Sequence, residues 1–404
     1  MKLNIPRTDL ITALSAVKAA ARDGTVPITN NVLLTARGGE LTFTTTDLEI
    51  YLRKTCSENL AIEKDGKLTV RCALFYDVIR LADGETVHLL AEKNNLTVEC
   101  GSTRHVLTTL NAEDFPPFPR VKVKTDPGSQ TPSPNLEFTL EDAVFRAMLS
   151  ETAFAASTDA ERYVLNGILV KITGGQLSVV GCDGRRIGVS TVPLELPAGG
   201  PGAVSFILPA RVVKELLRLL GNDTAKPQRL TVTASQNLVQ FTVGGPDAVK
   251  LTILSKLIDG QFPPYQRIIP GENAIASLPR TDLLRSIERI ALVADNATLC
   301  FGASALHLTS QGKHGNEIIG DASDSLLVAS SRSAEATYNC RYLRDVLQAV
   351  GDETLEFHLS DRGVGMFKTP GRDWRGIIAP IQKEPAAKAK PAAPAAVAAE
   401  TVPA

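Results

Sequence analysis

The chain carries almost no net charge. Its 404 residues set 43 lysines and arginines against 44 aspartates and glutamates, so the strongly basic total of many nucleic-acid proteins is missing, and a polyanion would have to be met by local patterning. No apolar run approaches the roughly 20 residues that cross a bilayer, and no signal peptide opens the chain, so a cytoplasmic protein without membrane contact is expected. Cysteine is scarce and scattered: Cys56, Cys72, Cys100, Cys182, Cys300 and Cys340 form no C-x-x-C pair, which argues against a zinc or dithiol centre and reads as small core residues. The histidines, His88, His105, His307, His314 and His358, show no metal-ligand spacing. Walker loops, nucleophile elbows and dinucleotide fingerprints are missing as well. The expectation is therefore a protein that is not an enzyme and has no metal or other cofactor.

What is present is repetition. Pro6-Arg7-Thr8-Asp9-Leu10 returns at Pro279 to Leu283, Gly38-Gly39-Glu40-Leu41-Thr42 returns as Gly174-Gly175-Gln176-Leu177-Ser178, and Asp114-Phe115-Pro116-Pro117-Phe118 returns as Gln261-Phe262-Pro263-Pro264-Tyr265. The interval far exceeds the roughly 20 to 50 residues of a solenoid unit, so the repeat is a whole domain. First helices are expected from about Thr8, Glu141 and Thr281, and second helices near 72–82, 209–220 and 340–350. Alternating runs such as Leu238-Val239-Gln240-Phe241-Thr242-Val243 mark half-buried strands. The fold class is α+β: three tandem domains, each of two helix-plus-sheet units. Composition places the domains at 1–120, 135–270 and 271–382, with a Pro/Ser/Thr-rich linker at 121–134. An Ala/Pro/Lys tail at 383–404 has too little to bury and is expected to be disordered.

The second helices carry the most useful physical clue. Their buried stripes read Leu74, Phe75, Val78, then Val212, Val213, Leu216, Leu217, Leu220, then Leu343, Val346, Leu347, Val350. The opposite faces read Ala73, Tyr76, Asp77, Arg80, then Arg211, Lys214, Glu215, Arg218, then Arg341, Arg344, Asp345, Gln348. The first helices add Arg146, Arg285 and Arg289, with Lys18 and Arg22 near the end of the first one. Charge lines the wet face of any amphipathic helix; recurrence at equivalent positions is what suggests a basic wall. With helices inward, such a wall would hold a polyanion through phosphates and read no sequence.

Several strings resemble one family. Thr45-Thr46-Asp47-Leu48-Glu49, Arg162-Tyr163-Val164-Leu165-Asn166-Gly167, Asp183-Gly184-Arg185-Arg186-Ile187, Ser255 to Tyr265 and Ile377-Ile378-Ala379-Pro380-Ile381 are similar to the bacterial sliding clamp family, the beta subunits of DNA polymerase III, in order from Met1 to about Gln382. The resemblance implies two chains closed head to tail into a pseudo-sixfold homodimer ring, helices facing double-stranded DNA. It implies a non-catalytic processivity factor in DNA replication, whose partners are the DNA polymerase III catalytic subunit, the clamp loader complex, and other polymerases and repair proteins bearing clamp-binding peptides. The alternative is a repeat-domain interaction scaffold that encircles no DNA; it would lack the basic faces.

Carried over position by position, the family's peptide pocket falls on Leu165, Cys182, Gly184, Arg185, Arg186, Ile187, Pro263, Arg267, Ile268, Gly365, Ile377, Ala379 and Pro380. Arg186 and Arg267 would supply rim donors. Leu107 and Val293 are the candidate dimer contacts. The expected DNA-facing set is Lys18, Arg22, Arg80, Arg146, Arg211, Lys214, Arg218, Arg285, Arg289, Arg341 and Arg344. There are departures: Ala379 and Ile381 stand where methionines are usual, Cys182 where threonine is, and Ala73 and Leu74 where cations are. The short interval after the first helix of the third domain suggests a trimmed strand or hairpin there.

Overall fold

Six helices recur in pairs among the described residues: α1 Arg7–Val17 and α2 Cys72–Leu81, α3 Asp142–Ala153 and α4 Ala210–Leu219, α5 Arg280–Ile290 and α6 Cys340–Gln348. The computed structural model describes residues 1–22, 24, 26–121, 136–196, 203–221, 227–245, 248–271, 274–314 and 317–381. Beyond residue 121 the expected linker lies outside the described residues, as does the whole expected tail.

The verbatim Pro-Arg-Thr-Asp-Leu repeat has a packing reason. The Arg7 guanidinium donates to the carbonyls of Ile79 and Arg80 at the end of α2, and Arg280 donates to those of Leu347 and Asp352 around the end of α6. Helix C-termini leave carbonyls without intrahelical donors, and an arginine there satisfies them and suits the dipole. The middle unit solves the same problem differently. Asp142, only 1% exposed, accepts from the amides of Gly221 and Gln228, and Arg146 from the next turn reaches the Leu217 carbonyl. The first and third pairs of helices are thus tied at this seam by the equivalent arginine and the middle pair by different chemistry.

Between its two helices every unit lays down four strands. They run Asn31–Arg37, Glu40–Thr46, Ile50–Cys56 and Gly66–Arg71 in the first (with a short extra strand, Ala61–Lys64), then Gly167–Thr173, Gln176–Cys182, Arg186–Pro193 and Ala203–Pro209, then Asn296–Phe301, Ala305–His314, Glu317–Leu327 and Ala334–Asn339. The third unit has therefore lost no strand or hairpin, contrary to expectation. What is short is the connection after α5: 291–295 does what 18–30 and 154–166 do in the other units.

The sheets cross from unit to unit. Ile50–Cys56 pairs antiparallel with Ala248–Lys256, with Ser255 opposite Ile50, and Arg186–Pro193 pairs with Asp373–Ile378, with Ile378 opposite Arg186. One sheet of 13 strands and one of 8 result, and a third of 4 strands is left at the far end. One apolar core fills the first two units, a second fills the third, and a small separate cluster sits at the second crossing. The helical stripes hold except in α2, where Cys72, Phe75 and Ile79 are buried and Leu74 is 48% exposed.

Candidate functional site

The small cluster is where the expected pocket residues meet. Leu165, Cys182, Ile187 and Ile377 are packed there with Leu169, Ile207, Tyr265 and Met366, under partly buried Val164, Ile258, Phe262 and Val364. The strand crossing explains the meeting, because Ile187 lies directly opposite Ile377. Sequence reasoning missed Tyr265 and Met366. Met366 is the cross-strand neighbour of Ile377, so it supplies beneath the pocket a thioether of the kind missing at Ala379 and Ile381. Gly365 is turned the other way; a side chain there would meet Tyr338 and Phe357 of the third-unit core. The Ala379 amide donates to the Arg185 carbonyl at 2.8 Å, and Pro380 lies beside Gly363. Pro263, Arg267 and Ile268 lie on the exposed rim, Ile268 at 51% exposure.

Arg186 behaves otherwise than expected. Its side chain is 10% exposed and pairs with Asp183 at 3.0 Å and with Asp345, and its guanidinium lies over the Tyr342 ring at 4.6 Å. It is a strut between the second and third units, with Nε and one terminal nitrogen engaged there; Arg162, Arg185 and Arg267 are exposed cations of this region. The turn itself is built by Asp183, whose carboxylate accepts from the amides of Arg185 and Arg186, while Gly184 takes a φ of 87°. Burial pushes the Cys182 thiol up from its ordinary value, and the opposing pull of the Gly184 amide does not reverse this. A buried thiol held protonated is a pocket wall, unlike a reactive cysteine.

The expected DNA-facing cations divide into two groups. Arg146 caps α4, Arg211 pairs with Asp47, and Arg218 holds Glu215 at 2.8 Å and donates to the carbonyls of Ser15 and Ala16 at the end of α1. Arg289 pairs with Asp324. These side chains serve the frame. Lys214, Arg341 and Arg344 have no ion pair among the described residues. Arg80 and Arg285 have only exposed neighbours one turn away, at 3.3 and 3.8 Å. Lys18 stands over the Tyr76 ring at 3.9 Å, and exposed Arg22 donates to the Ala19 carbonyl.

The first and third units each leave a sheet edge open. Strand Thr103–Leu110 is paired on its second side only through Thr109 and Leu110, and Glu317–Leu327 closes the four-stranded sheet with one partner. Leu107 was expected on this edge as a contact, but it is 6% exposed and packs in the core; the outward residues are Val106 at 53% and Leu110 at 45%. At the other end Leu292 and Leu327 are 85% and 94% exposed, beside half-buried Val293. Among the described residues, no three His, Cys, Asp or Glu side chains gather to hold a metal. No helix there is long and apolar enough to cross a membrane.

Three like helix-and-sheet units with strands shared across their borders are tandem clamp domains. The family model for the DNA polymerase III beta subunit N-terminal domain matches residues 1–119, and that for its central domain matches 139–264. The beta sliding clamp of Pseudomonas aeruginosa is 30% identical over 366 residues, spanning 89% of this chain and 94% of the relative. That of Salmonella typhimurium is 30% identical over 373 residues, spanning 89% and 93%. The crystal structure of the Pseudomonas aeruginosa DNA polymerase III beta subunit matches with a TM-score of 0.82 at 27% identity, over 95% of this chain and all of that one. The chain belongs to the beta sliding clamp family of DNA polymerase III.

Proposed function

We propose that two copies of the chain close head to tail around duplex DNA and act as a cytoplasmic processivity factor in replication. The ring slides on its DNA and performs no chemistry of its own. The domain limits 1–120, 135–270 and 271–382 serve as its units. The observation that carries this reading is the match between the open edges and the internal crossings. Thr103–Leu110 is the last strand of its unit, as Ala248–Lys256 and Asp373–Ile378 are of theirs. Glu317–Leu327 is the third strand after a first helix, as Ile50–Cys56 and Arg186–Pro193 are. The same register sets Leu107 opposite Gly320 of a second copy, and His105 opposite Ala322. A heterologous contact that closes makes a ring, and the exposed Val106, Leu110, Leu292 and Leu327 are what such a contact would cover.

Inside the ring, Lys18, Arg22, Arg80, Lys214, Arg285, Arg341 and Arg344 are the side chains free enough to meet phosphates. Framework pairing of the other cations keeps the grip weak, which suits sliding. The cluster around Leu165, Ile187 and Ile377, rimmed by Pro263, Arg267, Ile268, Ala379 and Pro380, takes the apolar anchor of a partner peptide. Its partners are the DNA polymerase III catalytic subunit, the clamp loader, and other polymerases and repair proteins. The test is mass and topology together. The purified protein is expected to sediment as a dimer at micromolar concentration, to stay on nicked circular DNA, and to leave when the circle is cut. A stable monomer, or equal retention on circle and line, overturns the reading.

A further inference from the structure

A groove of about 570 Å³ lies beside the pocket, with Phe262, Pro263 and Pro264 in its lining. Volumes of this size hold ligands elsewhere. Its floor is continuous with the pocket, since Leu169, Ile207, Ile258, Phe262 and Tyr265 belong both to its lining and to the pocket cluster. Leu169 and Ile207 are opposite each other, as are Lys171 and Ser205. The residues between them, Val170 and Phe206, point into the core of the second unit, so alternation puts Lys171 and Ser205 on the sheet face turned away from α4.

The wall of this groove is an open strand edge. Ala203–Pro209 ends its 8-stranded sheet, and on its outer side a single bridge forms, the Ile258 amide donating to the Ile207 carbonyl at 3.0 Å. Along an antiparallel strand each residue sends its N–H and C=O to the same side, and the sides alternate. Ile207 faces the groove, so Ser205 does too, and its backbone groups have no partner among the described residues. In the first unit the equivalent edge is better closed, by Thr69 with Leu110 and Val70 with Thr109. The rest of the lining is amide-rich, with Gln236, Asn237, Gln261 and Gln266. Two cations enter it: Lys171, with no ion pair among the described residues, and Lys256, which touches Glu49 at 2.8 Å. Asp259 is the carboxylate in the lining.

We propose that this groove docks an extended, acidic flank of the same polypeptide whose apolar anchor fills the pocket, the flank adding a strand to the Ser205 edge and placing a carboxylate at Lys171. The proposal rests on the pocket reading above. Main-chain bonds to an open edge give affinity with little demand on sequence, so the flank needs only extended backbone and negative charge. The groove would then tell apart partners that share the same anchor.

Three fluorescent synthetic peptides test this by anisotropy on the full chain: a Leu/Phe-rich five-residue anchor, and the same anchor with a six-residue Asp/Thr-rich extension at its N- or its C-terminus. One extended peptide is expected to bind about tenfold tighter than the bare anchor. Lys171→Glu should abolish that gain, and Ser205→Pro, which removes one edge donor and no ladder bond, should reduce it several-fold. Both variants should leave the bare anchor unaffected. If the bare anchor binds and neither extension helps, the groove proposal falls and the pocket stands. A gain that survives both substitutions also overturns it. If no peptide binds, the pocket reading fails and takes the groove with it.

Discussion

The two crossings between units start from the same turn and diverge. At the first, Asp47 accepts from the amides of Glu49 and Ile50; at the second, Asp183 does the same for Arg185 and Arg186. Thr46 and Cys182 occupy equivalent buried positions. Phe118 and Tyr265, the aromatics that end the two Phe-Pro-Pro repeats, each lie by their crossing, Phe118 edge-on to Tyr51 and under the Arg53 guanidinium. The fastenings differ. The first crossing is held by ion pairs nearer the surface, Arg211 with Asp47 and Lys256 with Glu49. The second is fastened more deeply: Arg186 between two carboxylates, buried Glu151 between Ser190 and the half-exposed Arg372, and the sole tryptophan, Trp374, donating to the Glu151 carbonyl at 3.1 Å. The apolar cluster proposed to take a partner peptide sits at the joint whose bridging arginine is the more deeply buried, 10% exposed against 33% for Arg211.

The largest expected effect follows from removing the strut. Arg186→Ala takes a cation that is 10% exposed from two carboxylates at once, Asp183 and Asp345, and breaking a largely buried pair in this way costs about 3 kcal/mol or more. Thermal unfolding of the variant should show a large drop, and peptide binding should weaken with it. The matching lesion at the first crossing, Arg211→Ala, removes a partner that is 33% exposed from a carboxylate that is 18% exposed. Solvent screens such pairs, so a loss of about 1 kcal/mol or less is expected. Equal losses at the two crossings would erase the distinction drawn between them.

Much of this contrast was legible in the sequence, and the part that was not shares one physical cause. Apolar spacing placed the helices within a residue or two, and the family resemblance put the Asp183 turn beside the last strand, which the pairing of Arg186–Pro193 with Asp373–Ile378 matches. The partner of Arg186 was invisible because Asp345 lies 159 residues away and reads locally as one more charge on a wet helix face. Which of Val106 and Leu107 turns outward in the single chain is a matter of strand parity: a period-two pattern says that alternate residues are buried, and the choice depends on which face the neighbouring Leu96 fills. Leu74 was misread, as an apolar residue on a helix whose own core side is taken by Phe75 and Ile79. The missing strand of the third unit came from counting an interval, when the residues absent belong to the connection. Secondary structure is local and was readable; ion pairs and burial parity are settled by tertiary neighbours.

The smallest effect tests whether the first turn has paid for its divergence. Leu48 holds a φ of 75° where the second turn has Gly184 at 87°. A side chain in the left-handed region costs roughly 1–2 kcal/mol, and glycine gives back about 0.5–1 kcal/mol through its freer unfolded chain. Leu48 is 38% exposed, so little packing is lost on replacing it. Leu48→Gly is therefore expected to stabilise the protein by about 0.5 kcal/mol, read as a small rise in the denaturant midpoint. Gly184→Ala should move the midpoint the other way, a loss of about 1 kcal/mol from the left-handed backbone alone, since the Arg162 guanidinium nitrogen 2.8 Å from the new Cβ ends an exposed, flexible side chain that can move aside. Should Leu48→Gly lower the midpoint, the leucine makes contacts worth more than its strain, and the two turns are less alike than their hydrogen bonds suggest.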